Sequence, residues 1–268
     1  MPAATGLPRW LRRLAAGLLV LYTVACILLY LFQETLIFRP RQLAPDYRFA
    51  AGEEFDLQTP DGVNLNVVAF RHPGARGAIL FLHGNRGSNR RSLYQTEALV
   101  GAAYDLYLFD YRGYGKSGGK ITSEAQLYAD AQLMYDTLAG RYGETNLIVA
   151  GYSLGTGMAS YLAAHNAPRH CVLAAPYASI TAMKNLWLWM VPDFILKYPL
   201  RNVEHVAAAR CPVTVLHGEG DDFIPFGMAE EIRDAAPERV KLIPLPGVGH
   251  RGAILDPTFA RTILRLTE

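Results

Sequence analysis

Four short segments carry the side chains able to do covalent chemistry. Gly151-Tyr152-Ser153-Leu154-Gly155 follows the apolar run Leu147-Ile148-Val149-Ala150 and opens a stretch rich in alanine and glycine. Strand, tight turn, then helix is the setting that lifts a serine Oγ above the carboxyl edge of a sheet. Glycines two residues either side let the turn close without Cβ clashes, and the helix N-terminus favours negative charge as it develops. Ser153 is therefore expected to be a nucleophile. It needs a base and an orienting acid, which in this setting follow in the order Ser, Asp/Glu, His. His250, in Gly247-Val248-Gly249-His250-Arg251-Gly252, has the right order and the right kind of loop. The histidines at 72, 83, 165, 170, 205 and 217 lie on strand ends or polar stretches, where loop-orienting or surface roles suffice. Asp221-Asp222-Phe223-Ile224-Pro225 offers two adjacent carboxylates, only one of which can point at the imidazole. In Phe81-Leu82-His83-Gly84-Asn85-Arg86-Gly87, a turn after another apolar run can aim the Asn85 N–H at a reacting carbonyl, with the Leu154 N–H as a second donor.

Other chemistries are excluded by the same reasoning. Gly115-Lys116-Ser117 suggests a phosphate-binding loop, but the position that must be glycine in that motif is Asp110. Cys26, Cys171 and Cys211 have no zinc spacing. Cys171 and Cys211 border apolar runs and read as reduced, packed thiols. No metal and no cofactor is expected. A formal charge of +2 argues against a nucleic-acid partner, which calls for a basic face.

The elements that must position these residues can be read from hydropathy. The chain has 268 residues, 51% of them hydrophobic, enough for one large α/β domain with a real core. Candidate strands are Phe55–Thr59, Leu65–Phe70, Ala78–His83, Asp105–Tyr111, Leu147–Tyr152, Cys171–Ala175, Val213–His217 and Val240–Ile243. The first two flank Pro60-Asp61-Gly62, a hairpin turn. From Ala78 onward the runs are continuously apolar, as in a parallel sheet buried on both faces. Helical patterns fall between them, clearest over Ser123–Tyr142, where Ser123 and Gln126 form an expected capping box. The result is an α/β fold built on one open, mostly parallel sheet.

Ahead of this domain, Leu14 to Phe32 is uncharged. Nineteen residues rise about 28 Å as a helix, enough to cross a bilayer's hydrocarbon core. The run is long for a cleaved signal core, and it continues apolar past the lipoprotein-like box Thr23-Val24-Ala25-Cys26. An uncleaved single-pass anchor over residues 1–40, span about 14–32, is expected, followed by a hydrolytic domain over 41–268. Arg9, Arg12 and Arg13 precede the span and mildly favour a domain on the non-cytoplasmic side. Residues 1–40 hold four basic side chains and one acidic, so the rest of the chain is close to neutral.

Taken together, the HGN segment, FDYRGYGKSGG (109–119), GYSLG, HGEGDDFIP (217–225) and GVGH resemble the α/β-hydrolase superfamily in order and context. Within it, the segment FQETLIFRP (32–40) after an N-terminal span is similar to the membrane-anchored alpha/beta-hydrolase-domain 13 and 17 group. The resemblance implies a twisted eight-stranded sheet with helices on both faces and hydrolysis of carboxyl esters or thioesters. Carried over by motif, Ser153 is nucleophile, Asp221 acid and His250 base, with backbone oxyanion donors at Asn85 and Leu154. Depalmitoylases of that group have cysteine-rich N-termini, whereas this chain has only Cys26 there.

A short cap is expected over residues 177–210. Its Trp187, Trp189 and neighbouring apolar residues either receive an acyl chain near the membrane or pack the cap onto the body. The expected substrate is a small-molecule or lipid-like acyl ester or thioester. The alternatives are a peptidase or amidase, for which 268 residues leave little room for a bulky cap, and an inactive binding module of the same fold. Removing residues 1–32 is expected to leave a soluble or peripheral domain that keeps its esterase activity.

Overall fold

Continuously apolar strands have to be covered on both faces, and the computed structural model, which describes residues 8–268, shows how this is done. An N-terminal helix α1 (Arg9–Ile37) runs into a two-residue strand β1 (Arg39–Pro40). The body follows as β2 (Glu53–Gln58), β3 (Asn64–Phe70), β4 (Ala78–Leu82), β5 (Arg86–Gly87), α2 (Asn89–Thr96), β6 (Asp105–Phe109), α3 (Glu124–Tyr142), β7 (Leu147–Tyr152), α4 (Gly155–His165) and β8 (His170–Ala174). It is completed by α5 (Ile180–Asn185), α6 (Asn202–Ala207), β9 (Val213–Gly218), α7 (Gly227–Ala235), β10 (Val240–Leu245) and α8 (Pro257–Thr267).

Eight strands form one sheet in the order β10-β9-β8-β7-β4-β6-β3-β2. The β2–β3 hairpin is antiparallel, β3 meets β6 antiparallel, and every pairing from β6 to β10 is parallel. Alternate residues of each strand serve opposite faces. In β4, Leu80 and Leu82 join a core with Leu127 and Met134 of α3, Met158 of α4 and Ile232 of α7. Ile79 and Phe81 of the same strand join the other core, with Phe259 and Ile263 of α8. Burying a side chain of this size stabilises by about 1.5–3 kcal/mol. Cys171 and Cys211 are buried free thiols within the first core.

One local difference from expectation has a simple cause. Ser123 Oγ accepts the Gln126 N–H (3.1 Å), but the Gln126 side chain caps Thr122 N (2.9 Å), one residue further out than a capping box requires. The Lys116–Ser117 pair is structural: Ser117 Oγ accepts from Asn66 N and donates to Asp110 O, both at 2.7 Å, while Lys116 pairs with Glu54.

The first seven residues of the expected anchor segment lie outside the described residues. The remainder, α1, is one helix long and apolar enough to cross a membrane. Beyond it the chain stays on the body. Phe38 is buried edge-on against Tyr198, and Arg39–Pro40 pairs in parallel with Arg86–Gly87.

Candidate active site

The turn after β7 places Ser153 at φ +50°, a left-handed conformation that costs a non-glycine residue about 1–3 kcal/mol. Close packing around it enforces the conformation. A Cβ at Gly155 would stand 2.0 Å from the Leu82 carbonyl oxygen, and one at Gly151 would stand 2.6 Å from the Gly155 carbonyl oxygen. Strand β4, the turn and α4 can approach this closely only with glycine at both positions.

The loop after β10 brings His250 over the turn. Its Nε2 lies 3.0 Å from Ser153 Oγ, and its Nδ1 lies 2.8 Å from Asp221 Oδ2. The ring is held by stacking on Tyr152 (centroids 5.6 Å, 27°) and by the edge of Phe223 (5.1 Å, 64°). A carboxylate on Nδ1 selects the Nδ1–H tautomer and turns the Nε2 lone pair toward the serine hydroxyl.

Asp221 sits in the loop after β9 with its carboxyl group buried. Oδ1 accepts the Phe223 and Ile224 N–H groups at 3.0 and 2.8 Å, and Oδ2 faces His250. Burial alone would raise its pKa. Hydrogen bonds from His217, His250 and Ile224 N outweigh it and hold the group well below the usual carboxylate range. Asp222 is exposed, and the carboxylate on the imidazole is that of Asp221.

His217, which the sequence suggested only orients a loop, is fully buried, with Nε2 3.4 Å from Asp221 Oδ2 and 2.9 Å from the Ile224 carbonyl. Its Nδ1 has no partner among the described residues, so Nε2 carries the proton that both acceptors need. The missed signal was the four-residue spacing of His217 and Asp221 across one tight turn.

Asn85 and Leu154 flank Ser153 along the same cavity wall. The Asn85 loop is held by the chain that follows α1. Arg39 N–H donates to the Asn85 carbonyl (3.0 Å), Arg41 N–H to the Gly87 carbonyl (3.1 Å), and the Asn85 side chain to the Ile37 carbonyl (3.3 Å). Tyr114 OH donates to the same Asn85 carbonyl at 3.0 Å.

Two cavities meet at Ser153. One, about 350 Å³, is almost wholly apolar, lined by Tyr177, Ile180, Met183, Leu188 and Val191 together with Leu29 and Leu36 of α1. The other, about 640 Å³, is lined by Arg39, Arg86, Arg91 and Arg251, with Asp222 its only carboxylate among the described residues. None of these four arginines pairs with a carboxylate among the described residues. Sequence reading missed this convergence because the four are spread over 212 positions and meet only in the fold.

Of the two cap tryptophans expected at the substrate, one lines the apolar cavity beside Ser153. Trp187 lines the apolar cavity and stacks on Phe223 (6.5 Å, 26°). Trp189 is not part of the lining and is 73% exposed, two residues further along the irregular chain that follows α5.

A family model described as serine aminopeptidase, S33 (Hydrolase_4) matches residues 73–204. An uncharacterised protein of Mycobacterium tuberculosis is 34% identical over 207 residues, 75% of this chain and 73% of its own length. This chain belongs to the α/β-hydrolase superfamily. The lysophosphatidylserine lipase ABHD12 of Danio rerio is 30% identical over 233 residues, covering 70% of this hydrolase, which spans 59% of that relative's length. An esterase of Pyrococcus furiosus superposes with TM-score 0.69 at 18% identity, over 86% of this chain and 96% of its own, a likeness of fold.

Proposed function

We propose that this hydrolase cleaves carboxyl esters or thioesters of apolar acyl chains through Ser153, His250 and Asp221. The observation that carries this reading is the unbroken chain Ser153 Oγ–His250 Nε2 (3.0 Å) and His250 Nδ1–Asp221 Oδ2 (2.8 Å) at the mouth of an apolar cavity. Ser153 Oγ attacks the acyl carbonyl while its proton passes to His250 Nε2. Asp221 keeps the tautomer and stabilises the imidazolium, and the Asn85 and Leu154 N–H groups receive the oxyanion. Collapse expels the alcohol or thiol, which takes the proton from Nε2, and leaves an acyl-serine. Water, deprotonated by the same imidazole, then releases the acid and restores the hydroxyl.

The arginine-lined cavity lies where the leaving group departs, and four unpaired guanidinium groups favour an anionic, phosphate- or carboxylate-bearing one. The name of the Danio rerio relative, a lysophosphatidylserine lipase, supports the same class of substrate. The matched family model's name supports a second reading, peptide hydrolysis from a free amino terminus. Recognition of an ammonium group calls for a carboxylate, whereas the apolar cavity presents none and the other presents Asp222 beside four arginines. Ester cleavage is therefore preferred.

The segment up to residue 40 is assigned as a single-pass anchor by its length and apolarity, with the domain of residues 41–268, cap 177–210 included, on the non-cytoplasmic side. The test is a fluorophosphonate probe and a substrate panel. Wild type should label and Ser153→Ala should not, and acyl esters should be cleaved faster than aminoacyl amides. Faster amide cleavage would establish the peptidase reading instead.

A further inference from the structure

The anchor helix does more than precede the domain. Leu29, Gln33 and Leu36 fall at i, i+4 and i+7, one face of α1, and all three line the apolar cavity that ends at Ser153. That face is pinned to the cap. Gln33 is buried, its amide donating to the Ile195 carbonyl (3.0 Å) and accepting the Lys197 N–H (2.8 Å). One residue on, Glu34 Oε1 accepts from Lys197 Nζ (3.0 Å) and Tyr198 OH (3.2 Å). Three turns earlier, Tyr22 OH donates to the Met190 carbonyl at 2.7 Å.

The depth of these contacts matters. Tyr22 lies ten residues before Phe32, so the cap accompanies α1 for about 15 Å, half the hydrocarbon thickness. Over the same stretch the cap exposes Trp187, Trp189, Met190 and Phe194, the last at 85%. So many exposed large apolar side chains in one short segment are unusual on a protein facing water, and the Tyr22–Met190 bond sets this segment beside the exposed apolar residues of α1. Aromatic residues beside a spanning helix suit the edge of a bilayer.

We propose that α1 and the cap form one unit sunk into the membrane leaflet, which opens the acyl cavity sideways to lipid. On this arrangement Leu29 and Leu36 are specificity residues, because the acyl chain enters along α1 with its carboxyl end leading toward Ser153. The substrate is then drawn from the bilayer, a single-chain ester lipid whose polar end stays at the arginine-lined mouth. This rests on the esterase reading above.

Two measurements on full-length protein in phosphatidylcholine vesicles decide it. The first compares kcat/KM for p-nitrophenyl palmitate and p-nitrophenyl butyrate. Leu29→Trp fills the cavity and should lower the palmitate-to-butyrate ratio about tenfold. Leu28→Trp, on the neighbouring lipid-facing surface, should leave the ratio unchanged. A Leu29→Trp ratio within about twofold of wild type would overturn the proposal while leaving the esterase reading intact. The second uses Trp10→Phe protein, whose remaining tryptophans are both in the cap. Their fluorescence should be quenched by lipids brominated at mid-chain and resist aqueous acrylamide; the opposite pattern would place the cap in water and refute the proposal. If wild type cleaved neither ester, the esterase reading would fall, and quenching would still decide where the cap lies.

Discussion

Asp221→Asn separates geometry from charge because of how the carboxylate is held. Oδ1 accepts two backbone N–H groups, from Phe223 and Ile224, so an asparagine must place its carbonyl oxygen there. Its NH2 then occupies the Oδ2 position, 2.8 Å from His250 Nδ1, and donates to a nitrogen that formerly donated. The imidazole is driven to the Nε2–H tautomer and cannot take the serine proton. Flipping the amide would relieve this but would point NH2 at two N–H groups, and leaving the buried Ile224 donor unpaired costs about 1–3 kcal/mol. At about 1.4 kcal/mol per tenfold, only a small minority of molecules carry the productive tautomer. In serine proteases the equivalent change costs about 10⁴ in turnover, or 5–6 kcal/mol of barrier. We expect a kcat loss of about 10³–10⁴ on p-nitrophenyl butyrate for Asp221→Asn, in protein whose circular dichroism matches wild type. Asp222→Asn, exposed and off the imidazole, should stay within about tenfold. Retention of more than about a tenth of wild-type kcat by Asp221→Asn, or the larger loss at Asp222, would refute the reasoning.

Other outcomes follow from the same contacts. Arg86→Gln with Arg91→Gln should raise KM for an acyl ester of a phosphate-bearing alcohol by about tenfold or more, since each charge-assisted bond contributes about 1.5–3 kcal/mol. The change should be small for neutral p-nitrophenyl esters in the same steady-state assay. Gly155→Ala puts a methyl group 2.0 Å from the Leu82 carbonyl and should cost about 3 kcal/mol or more, read from urea unfolding. His170 and His205 are pushed down to about 4, each by burial first, then by Arg169 for His170 and by His165 and Arg201 for His205. The unfolded chain therefore binds more protons than the native one between pH 6.5 and 4. Their contribution to stability is complete above 6.5 and is lost as pH falls toward 4, at most about 3 kcal/mol each. Replacing both with glutamine should flatten that limb of a stability-versus-pH curve.

The structure also revises the expectation that residues 1–32 can be removed without effect on activity. Leu29 lines the cavity, Tyr22 bonds the cap, and the segment continues into the strand that holds the Asn85 loop. A truncated protein should lose long-chain selectivity before it loses hydrolysis of short esters, measured on the same ester pair.

Local sequence determined the elements and which side chains meet at the candidate site. Short apolar runs set between glycines, such as Ala78–Leu82, suit buried strands, and glycines at 151 and 155 around a serine permit the strained turn that close packing enforces. The chain order of Ser153, Asp221 and His250 was legible because each lies just beyond the carboxyl end of a strand, and parallel strands bring those ends to one edge. What the linear chain could not determine depends on which surfaces meet. The role of His217 required the fold of one turn around the Asp221 carboxylate. The basic cavity required four arginines from three separate stretches of the chain to converge. The same limit explains the tryptophans: hydropathy marks 187 and 189 alike, both are exposed, and only the path of the cap puts Trp187 at the cavity wall. Periodicity likewise marks α1 as an apolar helix, since composition sets its affinity for lipid. That its last turns also wall the substrate cavity was decided by packing against the cap, through Gln33 and Glu34, two polar residues whose partners lie more than 160 positions away.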